Sequence, residues 1–131
     1  MKKIGIINQP ISFIVSGLGH KDRLVISDAG LPIPDHVTRI DLALQKGVPS
    51  FLQTVTVILV EMQIESAILA TEIKANNPEV DKKLRELLGD IPIVYVTHEE
   101  FKLETHSAKA IIRTGEFTPF ANIILISGVV F

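Results

Sequence analysis

Short aliphatic runs, each too brief for a helix and several of them separated by stretches of helical spacing, set the narrowest limit on how this chain folds. Leu24-Val-Ile26, Ala67 to Glu72, Pro92 to Val96, Ala110 to Arg113 and Asn122 to Ser127 are apolar or β-branched and mostly bounded by turn-forming or polar residues. Runs of that kind predict buried strands. Thr38 to Leu44, with Ile40, Leu42 and Leu44 alternating, predicts another. Ahead of them, Pro10 to Leu18 puts Ile11, Ile14, Val15 and Leu18 at helical spacing, with Pro10 in the first turn and Gly17 and Gly19 at the end. Phe51 to Gln63 has helical length, and Pro78 to Leu88 predicts a helix capped by Asn77. Thr97-His98-Glu99-Glu100 has the S/T-x-x-E form of a capping box, so a helix opens there as well. The expectation is α/β: a single domain over residues 1–131 with a mostly parallel or mixed central sheet flanked by helices.

Composition excludes several functions. With no cysteine, disulfides, thiolate metal sites and cysteine nucleophiles all drop out. Thirteen basic residues are scattered among fifteen acidic ones, for a net charge of −2, and no basic stripe forms. Nucleic acid is therefore not the expected partner, because phosphate neutralisation needs clustered Lys and Arg. Lys2-Lys3 is followed by polar Asn8, Gln9 and Pro10, unlike a signal peptide, and runs such as Val55 to Val60 are too short to cross a bilayer. A soluble, cytoplasmic protein without a membrane partner is expected. The mean hydropathy of +0.36 is high for a small monomer. Phe120 to Phe131 is nearly all apolar up to the last residue, which predicts burial against another subunit, or else an internal central strand.

Candidate chemistry centres on histidine and aspartate. His20 follows Gly19 on a turn at a helix end, where the dipole favours an imidazolium. His98 opens a helix, where the dipole disfavours the cation, and imidazoles of opposite bias suit acid/base or donor/acceptor work. Asp28 ends a strand, and ligands of open α/β sheets bind beyond strand carboxyl ends. His36 and His106 read as surface residues, and Arg113-Thr114-Gly115-Glu116 as a strand-ending turn. No H-E-x-x-H pair, dinucleotide glycine pattern, phosphate loop or serine elbow is present. The residues thus suggest a polar site without metal or cofactor, and leave its substrate open.

Five strings, in order and spanning nearly the whole chain, do more: Gly17-Leu-Gly-His20, Asp28-Ala-Gly-Leu-Pro-Ile-Pro34, Glu72-Ile-Lys-Ala75, His98-Glu-Glu-Phe-Lys-Leu103 and Arg113-Thr-Gly-Glu-Phe-Thr-Pro119. Together they resemble the D-ribose pyranase family. The resemblance implies a cofactor-free isomerase that interconverts the pyranose and furanose forms of D-ribose in the cytoplasm. It also implies a homo-oligomer, typically a decamer of two stacked pentameric rings. It makes His20 the acid/base residue and Asp28 and His98 sugar-contacting positions, and it places Phe120 and Asn122 on the family's Tyr-x-Asn motif. Phe120 departs from that motif, keeping the aromatic face but losing a hydroxyl, and one neutral hydrogen bond contributes about 0.5–1.5 kcal/mol. A related fucose mutarotase branch carries an Asp-Ala-His-Phe-Pro type turn where this chain has Asp28-Ala29-Gly30-Leu31-Pro32, so the ribose branch fits better. The alternatives are a mutarotase for fucose or another sugar, and a non-catalytic ribose-binding or regulatory protein.

Overall fold

A computed structural model describes residues 1–131. Its strands are β1 (Arg23–Ser27), β2 (Thr38–Asp41), β3 (Ile64–Ala70), β4 (Ile93–Val96), β5 (Ala110–Arg113) and β6 (Ile123–Ser127). Its helices are α1 (Gln9–Gly17), α2 (Phe51–Glu61), α3 (Ile73–Asn76), α4 (Pro78–Leu88) and α5 (His98–Glu104), with a 3₁₀ turn over Thr105–Ser107. The strands form one sheet in the order β2-β5-β1-β6-β3-β4. β1 pairs in parallel with β5, β5 with β2, and β3 with β4, while β6 lies antiparallel to both β1 and β3. The expected mixed α/β sheet is therefore the one observed.

Period-two side-chain alternation divides the core between two faces. Leu24, Ile26, Ala110, Ile112, Ile123 and Leu125 point to the face covered by α1, α2 and α4, through Ile11, Val55, Ile58, Leu84 and Leu88. Val25, Ile111 and Ile124 point the other way, onto Phe101 of α5 and onto Leu31 and Val37 of the loop after β1. The helix starts follow local chemistry. The Asn8 side chain accepts from the Ile11 N–H, and capping boxes open α2 through Ser50 and Gln53 and α5 through Thr97 and Glu100.

Four expectations need correction. The apolar C-terminal run is mostly covered within the chain, because Ile123–Ser127 is a central strand; only its last residues stand free, with Val130 83% and Phe131 102% exposed. Strand β3 begins at Ile64 and stops at Ala70, so Thr71 and Glu72 lie beyond it. Strand β2 stops at Asp41, whose Oδ1 accepts the Ala43 N–H and turns the chain away. Asn77 precedes α4 but makes no side-chain cap; its amide donates to Thr118 Oγ1 and the Pro119 carbonyl, at 2.9 and 3.0 Å.

That contact ties α4 to the loop between β5 and β6, and Gly115 ties the same loop to the turn before α2. A Cβ on Gly115 would lie 2.5 Å from the carbonyl oxygens of Gln45 and Val48, closer than backbone atoms permit. The Gly115 N–H also donates to the Pro49 carbonyl at 2.9 Å. Gly115→Ala is expected to destabilise the fold by about 2 kcal/mol, within the usual range for overpacking, read as a lower urea midpoint.

Candidate active site

Because β6 runs against its neighbours, it begins where β1 and β3 end, and so Asn122 stands beside Asp28. The two residues are bonded reciprocally. The Asp28 N–H donates to Asn122 Oδ1 at 2.9 Å, and Asn122 Nδ2 donates to Asp28 Oδ2 at 3.0 Å. Asp28 Oδ1 accepts the N–H groups of Gly30 and Leu31, both at 2.9 Å, the local bonding that makes aspartate a turn former. Asn122 is fully buried. A carboxylate offers roughly four acceptor directions; the turn and the amide occupy most of them and leave Oδ2 room for a further donor. Asp28 faces a recess of 360 Å³ lined also by Gly30, Arg113, Glu116, Thr118 and Pro119. That volume falls within the roughly 300–1,000 Å³ usual for small-ligand sites.

His98 stands on the same edge of the sheet, at the first turn of α5 after β4. Its ring meets Phe120 edge-on at 5.1 Å between centroids and lies nearly parallel to Phe101 at 6.4 Å. Phe120 has φ +56, a left-handed conformation that non-glycine residues adopt rarely and that is concentrated at functional positions. Its carbonyl accepts the Asn122 N–H at 2.9 Å, so the same tight turn fixes the aromatic ring and the amide.

His20 is elsewhere. It lies on the turn before β1, at the opposite edge of the sheet from Asp28, and β1's five residues span about 17 Å. Its Nε2 is 2.6 Å from Glu65 Oε2, and Lys21 pairs with the other oxygen of that carboxylate. The hydrogen bond from Lys21, then that from His20, hold the Glu65 carboxyl below its ordinary value. A depression of 450 Å³ joins His20 to Leu18, Met62, Gln63 and the terminal Val129 and Phe131. Within one chain, then, His20 does not meet His98, and Asp28 does not orient the His20 imidazole. The expected histidine pairing fails on distance, whereas Asp28, His98, Phe120 and Asn122 do come together.

The bland readings of the remaining residues hold. His36 and His106 tilt against each other on the surface at 5.6 Å, with His36 Nε2 2.9 Å from the His106 carbonyl. Arg113 holds the turn after β1 and the end of β2, donating to the Ala29 carbonyl and to both Asp41 oxygens. Sequence reasoning missed Glu72 and Glu116. Glu72 accepts the His98 N–H on both carboxylate oxygens at 3.0 Å. Glu116 accepts from Phe51, Phe117 and Thr118 N–H groups and from the Thr118 hydroxyl, fastening the loop to the start of α2. Both lie within motif strings, but no local pattern signals that Glu72 reaches the His98 N–H or that Glu116 reaches the Phe51 N–H.

A carboxylate locked to a buried amide, an imidazole between two aromatic rings, and a recess at the carboxyl ends of parallel strands define an α/β protein that takes a small polar ligand. Comparison with known proteins narrows this: the chain belongs to the RbsD / FucU transport protein family, whose model matches residues 1–130. It is 54% identical, over all of both chains, to the D-ribose pyranase of Bacillus subtilis (strain 168). It superimposes with a TM-score of 0.98 on the structure of Bacillus subtilis RbsD complexed with D-ribose, again with full coverage of both and 54% identity. The fucose mutarotase of Streptococcus pneumoniae, solved in complex with L-fucose, is more distant, with a TM-score of 0.78, 26% identity and 95% of each chain covered.

Burial by itself would raise the Glu116 carboxyl, but the hydrogen bonds from Thr118, Phe51 and Phe117 outweigh it and hold the group below its ordinary value. A carboxyl lowered on folding contributes stability that is complete above the unfolded value of about 4.3. That contribution is lost as pH falls through the lower folded value. Unfolding free energy followed from pH 6 down to about 3 should therefore fall less steeply in Glu116→Gln than in the unaltered chain.

Proposed function

We propose that this chain is a D-ribose pyranase, an isomerase that interconverts the pyranose and furanose forms of D-ribose. The observation that carries the reading is its full-length likeness to the Bacillus subtilis protein held with D-ribose. The higher identity and closer superposition favour ribose over fucose.

The reaction needs only proton transfers. The C1–O5 bond breaks as O5 gains a proton and the anomeric hydroxyl loses one, leaving the open-chain aldehyde. O4 then attacks C1, losing its proton as the former carbonyl oxygen regains one, and the furanose is closed. Acid/base catalysis of this kind contributes about 10²–10⁴-fold. In this reading His20 exchanges the proton with the ring oxygen. Asp28 accepts from a sugar hydroxyl through the free side of Oδ2, and Asn122 holds Asp28 in place. His98 and Phe120 form the wall against which the sugar lies.

His20 and Asp28 sit at opposite edges of one sheet, so a complete site takes His20 from a second copy of the chain. The reading therefore includes a homo-oligomer, with the decamer of two pentameric rings as its expected form, working in the cytoplasm. Apolar surface supports assembly. A groove of 920 Å³ runs between the N-terminal segment and α2, with Ile7 and Val57 at its rim, and Val130 and Phe131 stand exposed beside His20. No helix is long and apolar enough to cross a membrane.

NMR exchange spectroscopy on D-ribose tests the reading. The protein should accelerate pyranose–furanose exchange, and His20→Ala and Asp28→Asn should each lower the rate at least about 10²-fold. Mixed and reassembled, the two inactive variants should regain part of the activity, because some sites then combine an intact His20 with an intact Asp28. No regain after verified subunit exchange would refute the shared site. No acceleration by the unaltered chain would turn the reading toward another sugar or a binding role. Phe120→Tyr restores a hydroxyl beside His98 and should tighten ribose binding up to about tenfold, the worth of one hydrogen bond, as seen in KM.

A further inference from the structure

Two features around His98 have no part in the scheme above. One is Glu72, placed just past β3, which grips the His98 backbone N–H with both carboxylate oxygens. The other is the His98 ring itself, whose Nδ1 is buried without any hydrogen-bond partner. Within the first turn of α5, Thr97 Oγ1 accepts the Glu100 N–H, and Glu100 accepts the Thr97 N–H. The His98 N–H would be left over, and it is satisfied by a residue from a neighbouring strand end.

We infer that Glu72 is a positioning residue for the sugar site, fixing the start of α5 so that His98 keeps Nδ1 as a bare, buried lone pair and offers Nε2–H to a sugar oxygen. The argument is one of unequal costs. A neutral imidazole carries one N–H and one lone pair. An N–H sealed away from every acceptor is among the costliest arrangements in a protein, and a sealed lone pair costs less. The proton therefore belongs on Nε2. The aromatic rings of Phe101 and Phe120 hold the imidazole plane but offer no acceptor to Nδ1. The bond from the His98 N–H, more than any other cause, also keeps the Glu72 carboxyl below its ordinary range.

The role rests on the ribose pyranase reading, and one experiment keeps the two separable. ¹⁵N NMR of histidine-labelled protein reads the His98 tautomer directly, with and without D-ribose, alongside exchange kinetics of the unaltered chain, Glu72→Ala and Glu72→Gln. The unaltered chain should show a protonated Nε2 and an unprotonated Nδ1. Glu72→Ala should blur that pattern into mixed tautomers and raise KM about tenfold, with kcat changed less than about threefold. Glu72→Gln, which keeps an acceptor for the His98 N–H, should stay within about threefold of the unaltered chain. A protonated Nδ1 in the unaltered chain overturns the inference. So does Glu72→Ala with an unchanged His98 spectrum, whatever its activity, or Glu72→Gln failing as Glu72→Ala does. Should Glu72→Ala not fold, the unaltered spectrum and Glu72→Gln decide. Should the unaltered protein not accelerate ribose exchange, it is the pyranase reading that falls, and the spectra still judge Glu72.

Discussion

One strand running against its neighbours determines where everything else can be. Five strands of the sheet point the same way, and β6 alone is reversed between β1 and β3. A parallel β6 would have begun at the far edge and carried Asn122 away from Asp28. The reversal instead makes the start of β6 coincide with the carboxyl ends of the strands, and the turn that feeds it delivers Phe120 and Asn122 together. The pairing is made firm by complementary groups. A fully buried amide donates its Nδ2–H to a carboxylate and accepts that residue's own N–H on its oxygen, so neither residue can shift alone. Buried polar groups satisfied in this way specify one arrangement.

Around that pair the site is braced from several directions, and most of the bracing reaches backbone. Glu116 ties the loop before β6 to α2, Asn77 ties it to α4, and Glu72 ties α5 to the end of β3. Each brace links elements distant in the chain. The exposed imidazole edge and the free side of Asp28 are therefore mounted on the sheet itself and not on an independent loop. Rigid mounting suits a reaction whose barrier is lowered by placing proton donors and acceptors before the ring opens.

Much of this was legible beforehand, and the failures have physical causes. Period and capping chemistry are local, so the helices beginning near Pro10, Ser50 and Thr97 and the strands at Leu24, Ile93 and Ala110 could be read directly. Strand limits were misplaced where polar residues lie inside a strand, as Glu65 and Ser66 do, or where a side chain ends one, as Asp41 does. Asn77 has a capping residue's position, but a tertiary partner in the loop before β6 took its amide. Asp28 and His98 were each placed at a strand end, yet only strand order could show that the two ends are neighbours. His20 was credited with a partner it does not have in its own chain, because neither motif nor period carries information about which edge of the sheet a turn occupies. Glu72 and Glu116 escaped notice for a related reason: a carboxylate that binds backbone leaves no signature of its target.

The placement of His20 limits the architecture of any working assembly. Under the shared-site reading, every copy offers a pocket at one edge and a proton carrier at the other. An open row of copies joined tail to head would always strand an unused carrier at one end and an unserved pocket at the other. Waste of that kind vanishes in only two ways: two copies pack side by side in opposite directions and serve each other, or the row bends round and closes. Symmetry is then no ornament of the quaternary structure; it is the stoichiometric condition for having as many catalysts as chains.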